Sequence, residues 1–194
     1  LQSALQNGAD SVYFGIGKLN MRSGSAVNFT EKDLPIIVKH CREHNAKAYL
    51  ALNVVIFDEE IASIESILKS AKLAGVDAII ATDISVLNKA KEIGLTIHMS
   101  TQSNITNHEA VQFFSQWADV VVLSREMTLE QVKKLNELIK EQHICGPSGE
   151  IVRTEVFAHG ALCMAISGKC YLSLDNMNSS ANRGACTQIC RRPY

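Results

Sequence analysis

The chain's 194 residues, 46% of them apolar, are enough for one domain with a substantial core. A formal net charge of -1 excludes a broad cationic surface for nucleic acid or membranes, so a polyanionic partner must be met by a local patch. No apolar run reaches the roughly 20 residues of a spanning helix, and the N-terminus lacks the basic-then-apolar order of a signal peptide, so a cytoplasmic protein with no membrane segment is expected.

Residues 1–8 read as the last turns of a helix capped by Gly8. Asp10 to Gly15 is a short apolar strand. Thr30, with Asp33 three residues on, caps a helix through Asn45, and Lys47 to Asn53 is the second strand. Asp58 opens a helix whose Ile61, Ile64, Ile67, Leu68 and Ala71 stand at helical spacing, and Gly75 ends it before a strand from Asp77 to Thr82. A helix from Ile84 to Ile93 stops at Gly94, and Leu95 to Gln102 is the fourth strand. Then come a helix from His108 to Trp117, a strand from Asp119 to Ser124, and a helix opened by Thr128 and Gln131 in capping-box spacing that runs to about Gln142. Cys145 to Gly149 forms a turn, and Ile151 to Ala158 a sixth strand.

Alternating strands and helices, each strand nearly continuously apolar, call for a parallel sheet covered by helices. An open doubly wound sheet usually carries a glycine-rich phosphate loop after its first strand, but Gly15-Ile16-Gly17 lacks the third glycine. The expected fold is therefore α/β, a partial TIM-type (β/α) barrel lacking its first strand and last units. It forms one domain over residues 1–194, cut at both ends, with residues 155–194 as a cysteine-rich terminal segment.

Barrels carry their reactive groups at the carboxyl ends of strands, where polar residues recur here: Asn53, Asp83, His98 to Asn104, Ser124-Arg125-Glu126, Glu155 and His159. Alternation puts His98, Ser100, Gln102 and Asn104 on one face of the fourth strand, either as a hydrogen-bonded polar layer or as a substrate pocket. The same parity puts Glu155, Phe157 and His159 together, an acid and an imidazole for proton transfer. Arg22 and Arg125 are placed to hold a carboxylate or phosphate.

Four of the six cysteines, Cys163, Cys170, Cys186 and Cys190, crowd the end of the chain with intervening gaps of six, fifteen and three residues. Zinc ribbons usually show two short hooks, and only the last pair has one. Iron-sulphur clusters accept thiolates from separated loops, so four thiolates suit a 4Fe-4S cluster, with zinc as the alternative. Cys41, in a helix, and Cys145, in a turn, read as a buried apolar residue and an incidental thiol. There is no His-Glu-x-x-His and no Gly-x-Ser-x-Gly, and a Cys163–His159 pair is the one protease arrangement the spacing offers.

Glu155, Phe157, Gly160-Ala-Leu-Cys163, Gly168, Cys170 and Leu172-Ser173 resemble the signature of the collagenase-like peptidase family, peptidase family U-32. Further resemblance lies in Asn7 to Asp10, Val12 to Gly15, Asn20-Met-Arg22, Ala81-Thr-Asp83, His98 to Gln102 with Asn104, Leu123 to Glu126, and Asn182-Arg-Gly184 leading into Cys186 and Cys190. The resemblance implies either a metal-dependent protease or, as in several branches, an oxygen-independent hydroxylase. Those branches act on a tRNA wobble uridine, on a ribosomal RNA cytidine or on small ubiquinone precursors, with prephenate as the implied hydroxyl source. It further implies Cys163, Cys170 and Cys186 as cluster ligands, with Cys190 or a more distant cysteine as the fourth. The expected catalytic residues are Glu155, His159 and His98. The expected substrate-binding residues are Arg22, Asn53, Gln102, Asn104 and Arg125. A non-catalytic cluster-holding or RNA-binding module serving a partner subunit is the remaining alternative.

Overall fold

The computed structural model describes residues 1–21, 23–24 and 29–191. Six strands, β1 (Ser11–Gly15), β2 (Lys47–Leu52), β3 (Ala78–Ala81), β4 (Ile97–Met99), β5 (Val120–Val122) and β6 (Arg153–Glu155), form one parallel sheet in the order of the chain. Helix α1 (Gln2–Gln6) precedes β1. Helices α2 (Leu34–Glu43), α3 (Ile61–Ala74), α4 (Ile84–Ile93), α5 (His108–Phe114) and α6 (Leu129–Glu141) fill the successive crossovers, and α7 (Leu172–Met177) follows the sheet.

A doubly wound sheet reverses its strand order and covers both faces with helices. Here the order never reverses, and α2, α3, α4, α5 and α6 contribute to a single core with one face of the sheet. Val12, Phe14, Leu50, Leu52, Ile79, Ile97, Met99 and Val121 meet Leu34, Ile64, Leu68, Leu87, Val111 and Leu135 there. The result is a half-barrel, as the strand-helix alternation predicts. Its other face is lined by the alternate strand residues, of which Tyr13 is 64% exposed.

Local chemistry explains the element boundaries. Ile64, Ile67, Leu68 and Ala71 form the buried stripe of α3, and Gly75 ends it at φ +79°. Asp83 caps α4 by accepting a hydrogen bond from the Ser85 amide at 2.9 Å. Thr128 and Gln131 form the expected capping box on α6.

Three expectations need correction. Asp58 does not cap α3: the Glu60 carboxylate accepts from the Phe57 amide at 2.9 Å, and a 3-10 turn over Asp58–Glu60 leads into the helix. The fourth strand stops at Met99, because the Ser100 hydroxyl accepts from the Gln102 amide and starts a 3-10 turn over Thr101–Ser103 that closes with Asn104 at φ +51°. The sixth strand stops at Glu155, so the parity that grouped Glu155, Phe157 and His159 does not extend past it.

Beyond β6 the chain becomes an irregular strap, residues 156–191, whose regular structure is α7 and two 3-10 turns. It is pinned back to the carboxyl ends of the strands. The Arg183 guanidinium donates to both Glu60 carboxylate oxygens at 2.6 Å and to the Val55 carbonyl, and lies 4.3 Å over the Phe57 ring. The Arg183 hydrogen bond holds the Glu60 carboxyl below its ordinary value of 4.5. The unfolded Glu60 therefore binds its proton first as pH falls. The pair's contribution is complete above about pH 4.5 and is lost as pH drops through the lower folded value. Substituting Glu60→Gln is expected to cost about 1–2 kcal/mol at pH 7 and progressively less as pH falls below about 4.5, read as urea midpoints across that range.

Candidate functional site

Following the pairing register across the sheet, the non-helical face carries Gly15, Ala51, Ile80, His98, Val120 and Arg153 in one row. Two residues further along each chain, at the carboxyl ends, stand Asn53, Thr82, Ser100, Val122 and Glu155. Strand geometry thus brings His98 and Glu155 to the same face in adjacent rows. His98 is 5% exposed, its ring 4.6 Å from the Tyr49 ring centre, and its Nδ1 is buried without a hydrogen-bond partner.

Burial lowers the His98 pKa to about 4, with Arg153 and Lys47 pushing the same way and Asp119 opposing. The imidazole is neutral at pH 7 and able to accept or donate a hydrogen bond. Desolvation also pushes the Glu155 carboxyl above its ordinary range, although the residue keeps solvent access, so it retains a proton to higher pH than a free glutamate. Between pH 6.5 and about 4 the unfolded chain holds a proton on His98 that the folded chain refuses, so stability falls as pH drops through that window. The loss is expected to be on the order of 3 kcal/mol by pH 4, and His98→Gln should remove that part of the pH slope in urea titrations.

The other expected binding residues are engaged in holding loops together. Asn53 accepts from the Met21 amide at 3.2 Å and donates to the Ser100 hydroxyl at 3.3 Å, tying the loops after β1, β2 and β4. Asn104 donates through Nδ2 to the Gln102 carbonyl at 3.0 Å and to the Ser167 carbonyl of the strap at 2.8 Å. The Gln102 side chain lies against Gly168, where an added Cβ would come within 2.9 Å of Oε1. Arg125 donates through Nη2 to the Ala165 carbonyl and the Ser167 hydroxyl, both at 2.8 Å, and through Nη1 to the Cys163 carbonyl at 3.4 Å. Glu126 accepts from the Ser124 hydroxyl, which lowers its pKa. Arg22 lies outside the described residues. His159 sits on the strap, exposed.

The strap therefore crosses the mouth of the half-barrel. It is fixed over the ends of β4 and β5 by Arg125, Asn104 and Gln102, and over the ends of β1 and β2 by Asn182, Arg183 and Gly184. Asn182 accepts from the Cys170 amide at 3.1 Å through its side chain and from the Val55 amide at 3.4 Å through its carbonyl. The Gly184 carbonyl accepts from the Gly24 amide at 3.1 Å. Ser173, buried at 2% exposure, accepts from the Thr187 amide next to Cys186 at 3.1 Å.

All four strap cysteines are free thiols, Cys163 and Cys190 exposed, Cys170 and Cys186 partly buried. A soft, all-thiol donor set suits an iron-sulphur group or zinc. Among the described residues no three His, Cys, Asp or Glu side chains are gathered as a metal set. Cys163, Cys170 and Cys186 lie at or beside pinned backbone, whereas Cys190 lies in the exposed 3-10 turn Ile189–Arg191. Among the described residues no histidine is hydrogen-bonded to a cysteine or serine side chain, and this includes the His159 and Cys163 pair. Cys41 is fully buried in α2, as its helical position predicts.

Sequence reasoning missed Glu60, Ser167 and Asn182 as anchors. The Asn182-Arg183-Gly184 motif was the available signal, and the contacts account for it: a side-chain acceptor for the strap, a cation for Glu60, and a residue without Cβ at a close approach.

Comparison with known proteins gives this arrangement relatives. The chain matches Peptidase family U32 over residues 1–194. It is 57% identical over its whole length to a protein named collagenase from Porphyromonas gingivalis, covering 47% of that protein. It is 32% identical to a tRNA hydroxylation protein of Bacillus subtilis, covering all of this chain and 44% of that protein. A solved U32 peptidase superposes with a TM-score of 0.56 at 16% identity over 76% of this chain and 59% of that one, a likeness of fold. The chain spans less than half the length of these two curated relatives.

Proposed function

The chain belongs to peptidase family U32, and from that premise we propose that it is the barrel portion of an oxygen-independent RNA hydroxylase. The substrate is the wobble uridine of tRNA, 5-hydroxylated in the cytoplasm with prephenate as hydroxyl donor. The observation that carries this reading is the strap, which brings four free thiols across the carboxyl ends of the strands, where barrels conduct chemistry. A relative named for tRNA hydroxylation aligns with the whole chain, strap included.

Cys163, Cys170, Cys186 and Cys190 would hold a 4Fe-4S cluster, and such a group supplies one-electron chemistry or Lewis acidity at the mouth. Glu155, on the non-helical face with its carboxyl pushed above the ordinary range by desolvation, serves as the general acid in this reading. His98, neutral at pH 7, offers a hydrogen bond from the row beneath.

A second reading, a metal-dependent peptidase, is favoured by the 57% identity to a protein named collagenase. Full-length protein purified without oxygen separates the two. The hydroxylase reading expects about four irons per chain, a broad visible absorption band lost on oxidation, and uncut gelatin. Gelatin cleavage by protein without iron would establish the peptidase.

A further inference from the structure

We propose that Arg125 is the positioning residue of the thiol-bearing strap: it fixes the Cys163 hook over the ends of β4 and β5 and does not meet a substrate carboxylate. Its place after β5 points to a substrate clamp, and its hydrogen bonds point elsewhere. Nη2 is shared between the Ala165 carbonyl and the Ser167 hydroxyl at 2.8 Å each, and Nη1 reaches the Cys163 carbonyl at 3.4 Å. Nε is buried without a partner. The guanidinium is thus turned into the loop it supports, with one nitrogen on the backbone of a thiol residue.

The neighbouring contacts close the same clamp. Ser167 is 6% exposed, and its carbonyl accepts from Asn104 while its hydroxyl accepts from Arg125. Asn104 reaches it from a left-handed residue at φ +51°, and Gly168, at φ +71°, leaves room for the Gln102 side chain. Three side chains from two strand ends therefore converge on residues 163–168. A planar guanidinium holding three acceptors in fixed directions is a task lysine cannot perform. On this assignment Arg125 acts through Cys163, setting where the thiol stands and how firmly it holds what it binds.

Two readouts test the assignment in full-length Arg125→Gln, Arg125→Lys and Ser167→Ala proteins. The first, independent of any bound group, is amide hydrogen exchange across residues 163–168 and the rate of Cys163 alkylation in iron-free protein. Arg125→Gln is expected to raise both by about tenfold or more, Arg125→Lys and Ser167→Ala less, with exchange in β2 and α3 unchanged. The second rests on the cluster reading: the rate of iron loss to a chelator should rise about tenfold in Arg125→Gln. Wild-type protein without iron would count against the cluster and leave the exchange result to decide the clamp. Unchanged exchange and alkylation in Arg125→Gln, with a raised donor KM at unaltered kcat, would overturn the proposal and return Arg125 to the substrate.

Discussion

Replacing Cys170 by serine in the full-length protein is expected to lower bound iron at least about tenfold and to abolish tRNA hydroxylation, with the fold intact. A serine hydroxyl does not ionise at neutral pH, so one of the four proposed thiolate positions is lost outright. The fold should tolerate the change because the Cys170 contact to the strap runs through its backbone amide, which donates to Asn182. Cys163→Ser and Cys186→Ser should behave alike. Cys41→Ala is the control: that thiol is buried among the side chains between α2 and the sheet, away from the strap. Iron retained at wild-type level in Cys170→Ser would remove this residue from the ligand set.

Gly184→Ala is expected to be the most damaging single change outside the core. Gly184 stands at φ +85°, and an added Cβ would lie 2.1 Å from the Asn20 carbonyl oxygen and 2.5 Å from the Ser23 hydroxyl. A backbone oxygen cannot swing aside, and Asn20 is itself 3% exposed. Strained dihedral and steric overlap together should cost about 2–4 kcal/mol. The strap has other anchors, so the expected outcome is local: the segment around Gly184 lifts from the loop after β1 and carries Cys186, two residues on, with it. Hydrogen exchange should rise over residues 181–187 and iron content should fall, while exchange in β2 to β5 stays slow. A wild-type exchange pattern would show that the close approach is not maintained in solution.

The half-barrel was legible in the sequence because its signals are local and repeated. Helical spacing in Ile64, Ile67, Leu68 and Ala71, the glycines at 75 and 94, and the capping box at Thr128 each fix an element without long-range information. The Met99 and Glu155 strand ends were not legible. In the first case a serine hydroxyl captured an amide two residues on, in the second the ladder with β5 ended, and neither event changes the apolar pattern. Strand parity gave His98 and Glu155 a face only within their own strands, the pairing register puts those faces on the same side of the sheet, and His159 failed the argument because parity has meaning only within a strand. The strap had no periodicity to read. Its path is set by single contacts such as Arg183 with Glu60, 123 residues apart, which no local pattern encodes. Arg125 illustrates the remaining gap: an arginine at a strand end reads as a ligand clamp, and only the folded chain reveals that its nitrogens face the Cys163 loop.

Mass spectrometry of nucleosides in tRNA tests the hydroxylase assignment most directly, comparing a strain lacking the gene with the same strain carrying the full-length gene in wild-type or Cys170→Ser form. The prediction is that 5-hydroxyuridine derivatives disappear without the gene, return with the wild type and stay absent with the variant. Unchanged 5-hydroxyuridine derivatives in the strain lacking the gene would contradict it.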